Sequence, residues 1–139
     1  MNETATEMIT NGVAPWIGKN TDFQIALLST QRQKEKIYAD WANKLSDDKV
    51  LIVCDRGALD NKAYMSEEEF ASALAVLQAS EIELRDNYDA VFHLVSVANG
   101  AEEFYTTANN QARTESVAEA VFLDNKLIAA WTGHPHFRV

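Results

Sequence analysis

The sequence predicts an α/β domain built on a parallel sheet. Two unbroken apolar runs, helix-period segments around them, and turn signals between the two carry that expectation. Val50-Leu51-Ile52-Val53-Cys54 and Ala90-Val91-Phe92-His93-Leu94-Val95 do not alternate with polar residues. Runs of this length and β-branched content suit strands covered on both faces, although a short buried helix produces the same pattern. Asp47-Asp48 and Asp86-Asn87 precede the two runs as turn signals and favour strands. His136 to Val139 reads as the start of a further strand.

The helical segments follow in order. Glu3 to Thr10 reads as a helix ended by Asn11-Gly12. From Phe23 to Leu45, Lys34, Ile37, Tyr38, Trp41 and Leu45 share one face, with Asp22 as the expected N-cap. Ser66-Glu67-Glu68-Glu69 is a capping box opening a helix whose stripe is Phe70, Leu74 and Leu77. A last helix runs from about Ser116, with Val117, Val121, Asp124, Ile128 and Trp131 on one side and Gly133 as its stop. Strands alternating with helices give a parallel sheet. Residues 1–139 hold no internal repeat or linker-like stretch, so one domain is expected.

A formal net charge of −9 argues against nucleic acid or a membrane surface as partner, since both attract basic proteins. A local arginine cluster can still hold a phosphate against that balance. Cys54 is the only cysteine, which excludes an intrachain disulfide and points to a reducing, cytoplasmic setting. No apolar run approaches the roughly 20 residues of a membrane span.

Gly12-Val13-Ala14-Pro15-Trp16-Ile17-Gly18-Lys19-Asn20 resembles a phosphate-binding loop at first sight. Five residues separate its glycines where that motif has four, and Asn20 replaces the magnesium-binding hydroxyl. No buried strand leads into it, so a surface loop between two helices is expected, anchored by Pro15 and Trp16.

Two segments carry chemistry. The first apolar run delivers Asp55 and Arg56 to its carboxyl end, where open α/β sheets bind ligands. A carboxylate there can hold Mg²⁺, and the arginine fork suits a phosphate or carboxylate. A plain ion pair finishing a strand is the alternative. Gly57 would let the chain turn out of the strand. The second segment, 99–115, is polar and includes Arg113, a composition that suits a mobile lid, although the pattern alone favours a solvated helix-and-loop connection.

CDRGALDNKAYM, ELRDNYDAVFHLV, NGAEEFYT with NNQARTE, and AAWTGHPHFRV together resemble a family of AAA-type ATP/GTP-binding proteins. These are nucleoside-kinase-like P-loop proteins related to the NAD-biosynthesis regulator and the TRPL translocation defect protein. The resemblance covers nearly the whole chain. It implies a three-layer α/β/α parallel sheet of P-loop kinase type, incomplete at its N-terminal side, with a lid at about 99–115. For the intact family domain it also implies Mg²⁺ with ATP or GTP, a small-molecule phosphate acceptor, and phosphotransferase or NTPase activity, with little or no catalysis expected of these residues without the P-loop. Asp55 looks like the acidic residue near Mg²⁺, and Arg56 like the substrate-side arginine of an Asp-Arg pair. Glu3 resembles the general base facing the acceptor hydroxyl, and Arg113 a lid arginine on the triphosphate, with Arg85 a weaker candidate there. The family opens with a strand and a Gly-Lys-Thr or Gly-Lys-Ser loop, and no such string occurs in these residues. That strand lies between the two apolar runs in the related folds, so its absence is expected to expose edges and favour a homo-oligomer. The alternative is a non-catalytic regulatory module that binds a nucleotide or phosphoinositide.

The remaining features have structural readings. His134-Pro135-His136 fits a turn whose imidazoles bond to backbone better than a zinc site. His93 is expected to be a satisfied core histidine, and Trp16, Trp41 and Trp131 to be packing residues. Cys54, buried beside an acid, should be a poor nucleophile.

Overall fold

The computed structural model describes residues 1–46, 49–98 and 116–139. The Asp47-Asp48 turn and the 99–115 segment, Arg113 included, lie outside the described residues. The elements are α1 (Thr4–Thr10), α2 (Asn20–Ala42), a 3₁₀ helix (Ala58–Tyr64), α3 (Glu67–Val76), α4 (Glu81–Asp86), β1 (Val91–Phe92), α5 (Val117–Trp131) and β2 (Phe137–Arg138).

Serine caps set three helix starts. Ser66, Ser80 and Ser116 each accept from the backbone N–H three residues on, and Glu69, Glu83 and Glu119 return the bond to the serine N–H. The Ser80 box opens α4, a helix the periodicity did not indicate; Ser80-Glu81-Ile82-Glu83 is its signal. Helix α2 begins earlier than expected, with Lys19 as N-cap. Asp22 instead lies in the first turn, where its charge complements the helix dipole. Gly133, at φ +101, follows α5 in the left-handed region that glycine tolerates best.

The 3₁₀ helix is the hub of the core, packing against α2, α3, α4 and α5. Leu28, Leu59, Met65, Phe70, Leu84 and Trp131 form its apolar centre. Helix α2 presents Phe23, Gln24, Leu28, Gln31 and Glu35 to that centre. The expected stripe of Ile37, Tyr38, Trp41 and Leu45 is instead exposed. The polar pair Gln31 and Glu35 wins the buried face because each finds partners there, described below. Helix α5 behaves as expected: Asp124 and Trp131 are buried, and Val117, Val121 and Ile128 are partly covered. Trp16 and Trp41 are exposed, so of the three tryptophans only Trp131 packs in the core. In the 11–19 loop the anchor is Ala14, not Trp16.

Strands β1 and β2 pair in parallel, Val91 opposite Phe137 and Phe92 opposite Arg138. The segment Val50–Cys54 is extended but forms no strand. Its recorded ladder partner is Met1, whose amine donates to the Val53 carbonyl and whose carbonyl accepts from Asp55 N–H at 2.9 Å. Those two bonds follow a parallel pattern. The segment falls short of a regular strand because a ladder needs a continuous neighbour, and one residue supplies a single rung. Burial alternates over Leu51–Cys54 and Val91–Leu94, with Ile52, Cys54, Val91 and His93 partly covered and Leu51, Val53, Phe92 and Leu94 exposed, whereas Val50 and Val95 at the run ends are exposed out of step. Within each segment the partly covered residues fall on one side and the exposed ones on the other.

Candidate functional site: the Asp55-Arg56-Gly57 turn

The extended segment ends in a turn with unusual backbone. Arg56 has φ 73, one of two non-glycine residues with positive φ among the described residues. Left-handed conformation costs an L-residue roughly 1–2 kcal/mol, so the surroundings must hold it. Gln31 Nε2 donates to the Arg56 carbonyl at 3.3 Å, fixing the peptide from behind. Gly57, expected to supply the turn, is extended, at φ −126. A close approach requires it instead: a Cβ there would lie 2.6 Å from Trp131 Cζ2.

The Arg56 guanidinium lies between two carboxylates. Nε is 3.4 Å from Glu3 Oε1, and one terminal nitrogen is 3.7 Å from Asp60 Oδ2. Glu3 is the N-cap of α1, and its other oxygen accepts from the Thr6 hydroxyl. Asp60, in the 3₁₀ helix, accepts from Trp131 Nε1 at 2.6 Å and from Gly57 N–H at 3.4 Å. Burial pushes the Asp60 carboxyl above the usual aspartate range, against the pull of Arg56 and the Trp131 hydrogen bond. Burial alone would lower the Arg56 pKa. Tyr64, Asp60, Glu3 and Asp55 outweigh that and hold the guanidinium above its ordinary value.

A buried polar network supports the turn. Tyr88 Oη donates to Glu35 Oε1 at 2.5 Å and accepts from Ala58 N–H at 2.7 Å. Gln31 Nε2 also donates to Glu35 Oε1, at 2.7 Å, and Gln31 Oε1 accepts from the Thr4 hydroxyl. Burial first, then Glu35, drives the Tyr88 pKa far up, so the phenol keeps its proton at any ordinary pH. The strand-side histidines are satisfied as expected. His93 Nε2 meets Asp124 Oδ1 at 3.0 Å, and His134 bonds the Tyr88 carbonyl through Nε2 at 2.8 Å and the His136 N–H through Nδ1 at 3.1 Å.

The structure therefore brings Glu3 and Arg56 together and leaves Asp55 exposed beside them. Arg85 turns elsewhere: it pairs with Asp86 at 3.0 Å and packs near Gly133. Arg113 lies outside the described residues. Among the described residues no group of three or more His, Cys, Asp or Glu side chains could hold a metal ion. A Mg²⁺ ion commonly takes one or two carboxylates and completes its shell with water and phosphate, and a single exposed Asp55 fits that smaller demand. Asp60, Trp131, Tyr88 and Glu35 were not legible as site residues. Asp60 alone had a signal, an acid three residues after the glycine of Asp-Arg-Gly-x-x-Asp.

A family model described as an AAA domain matches residues 1–139. The chain belongs to the AAA domain family. That membership places it among P-loop NTPases, for which nucleotide binding with Mg²⁺ is general. No curated protein and no solved structure matches the chain. No described helix of this AAA-family chain is long and apolar enough to cross a membrane.

Proposed function

We propose that the Asp55-Arg56-Gly57 turn is the acceptor-side half of a nucleoside-kinase-like pocket, in a protein that binds ATP or GTP with Mg²⁺. The carrying observation is Arg56 itself: a left-handed residue at the end of an extended apolar segment, its guanidinium against Glu3 at 3.4 Å. In this reading Arg56 contacts a phosphate or hydroxyl of the acceptor, and Glu3 accepts the hydroxyl proton. Asp55 holds Mg²⁺, which neutralises phosphate charge when bound. The domain is one three-layer α/β/α unit of P-loop kinase type. The parallel pairing of β1 with β2, and the single parallel rung between Met1 and Val53–Asp55, support that architecture. Arg85, paired with Asp86, is the weakest member of the set.

The 139 residues hold no Gly-x4-Gly-Lys-Ser/Thr string. That favours keeping a second reading, a regulatory module that holds a phosphorylated ligand on Arg56 without transferring the phosphoryl group. Amide NMR titrations separate the two readings from a mere structural turn. Nucleoside monophosphate should shift Asp55, Arg56 and Gly57, and Arg56→Ala should abolish the shifts while far-UV circular dichroism is unchanged. ATP-Mg or GTP-Mg should bind no tighter than about millimolar, because the loop that cradles a triphosphate supplies most of its contacts. Shifts that persist in Arg56→Ala would leave the turn without a ligand role. Micromolar triphosphate affinity would place the nucleotide on other residues.

A further inference from the structure

Helix α2 turns a polar pair inward where packing alone would place an apolar stripe. Gln31 and Glu35, one helical turn apart, are 2% and 9% exposed, while Ile37, Tyr38 and Trp41 face solvent. What the pair gains is a hold on the turn. A single oxygen, Glu35 Oε1, accepts from Gln31 Nε2 at 2.7 Å and from Tyr88 Oη at 2.5 Å. Each of these donors makes a second bond, and both second bonds end on the backbone beside Gly57. Gln31 Nε2 donates to the Arg56 carbonyl at 3.3 Å, and Tyr88 Oη accepts from the Ala58 N–H at 2.7 Å. Hydrogen-bond polarity makes position 35 decisive. A phenol that accepts from Ala58 must give its own proton to another acceptor. The Gln31 amide oxygen is already taken by the Thr4 hydroxyl, so its NH₂ group points at Glu35 and Arg56. A carboxylate, which only accepts when ionised, satisfies both donors at once.

We propose that Glu35 is the positioning residue of the Asp55-Arg56-Gly57 turn: through Gln31 and Tyr88 it clamps the two peptides that flank Gly57 and keeps Arg56 left-handed. On the pocket reading proposed above, on which any effect on a ligand rests, the clamp keeps the Arg56 side chain aimed at the acceptor. An L-residue left to itself disfavours the left-handed conformation by a factor of about 5–30. A ligand that needs that conformation binds in proportion to the fraction of molecules that hold it. Loss of the clamp should therefore weaken binding at Arg56 by about the same factor, although Glu35 lies behind the turn.

The test compares Glu35→Gln with Glu35→Met in the full chain by NMR. A positive φ brings the Arg56 amide and α protons together, so their intraresidue NOE is strong in the parent. Glu35→Gln still offers an oxygen to both donors. It should keep the strong NOE and bind a purine and a pyrimidine nucleoside monophosphate within about twofold of the parent. Glu35→Met has similar length but no such acceptor. It should lose the strong NOE and bind about 5–30-fold more weakly. Leu84→Ala loosens the core without removing a clamp group, so it should lower Tm and leave the NOE strong. If Glu35→Met does not fold, Tyr88→Phe and Gln31→Met each remove one arm and each should weaken the NOE. A strong Arg56 NOE in folded Glu35→Met, or in both single-arm variants, would overturn the proposal. So would Glu35→Gln behaving as Glu35→Met, since an acceptor would then not be what the clamp needs. A parent chain that shows the expected NOE pattern but binds no monophosphate would count against the pocket reading alone, because the NOE requires no ligand.

Discussion

Gly57 offers the sharpest check on how the turn is built. Its φ of −126 is open to any residue, so Gly57→Ala tests packing alone. The added Cβ would sit 2.6 Å from Trp131 Cζ2, 3.0 Å from Cη2 and 3.3 Å from Tyr88 Cζ. Carbon atoms prefer about 3.5–4.0 Å, so the indole must recede by roughly 1 Å. It is not free to do so. Trp131 is tied to Asp60 at 2.6 Å and meets Tyr88 edge-on at 5.1 Å, and Tyr88 is held by Glu35 and Ala58. Overpacking of this kind costs about 1–3 kcal/mol. The alanine recovers about 0.4–1 kcal/mol by restricting the unfolded chain. Retreat of the indole weakens its charge-assisted bond to Asp60, a bond class worth about 1.5–3 kcal/mol when intact. The net expectation is a loss of about 2 kcal/mol. At about 3–4 °C per kcal/mol for a domain of this size, that lowers Tm by roughly 6–8 °C. Urea denaturation should show a lower midpoint at unchanged slope. Trp131→Phe removes the ring atoms that clash, so the double variant should lose less than the sum of the single ones, by about 1 kcal/mol or more. A neutral or stabilising Gly57→Ala, or strict additivity with Trp131→Phe, would refute the idea that the indole is pinned against this glycine.

Two further outcomes follow from the titrating groups. Glu119 is held below its usual pKa chiefly by the Ser116 N–H, as Glu69 is by the Ser66 N–H and Glu83 by the Ser80 hydroxyl and N–H. A depressed carboxylate contributes stability that is present above the ordinary value near 4.5 and lost as pH falls through the folded value. Glu119→Gln keeps a capping-box side chain but removes that proton linkage, so its stability should fall less steeply than the parent's below about pH 5. Equal slopes in acid urea titrations would mean that the Ser116 box does not tune Glu119. Asp60 works in the opposite sense: its raised carboxyl contributes most below the ordinary aspartate value and loses that contribution as pH rises through the folded value. Cys54 is held above the usual thiol value by burial first and then by Glu35. Its alkylation by iodoacetamide at pH 7 should be slower than that of a free cysteine and accelerate only at higher pH. A rate equal to that of the free thiol would contradict the burial.

The sequence by itself determined what local chemistry decides. Serine followed three residues later by glutamate specifies its own helix start, because both partners of each bond lie within one turn; Ser66 and Ser116 were legible for that reason. The His134 turn and the parallel sense of the two C-terminal strands could also be read from nearby residues and connection type. The choice of which stripe of α2 is buried required the rest of the fold. Gln31 and Glu35 displace the apolar stripe because Tyr88, Arg56 and Thr4 arrive from elsewhere in the chain to satisfy them. Apolar runs likewise announced strands, but whether Val50–Cys54 forms a ladder depends on a neighbour along its whole length. Asp55 and Arg56 stood out in the sequence as the end of a buried run. Tertiary structure decided that Glu3 meets the arginine, that Asp60 is locked to Trp131 across 71 residues, and that Gly57 yields space to an indole. Such contacts depend on how separate elements pack, and no local pattern encodes that.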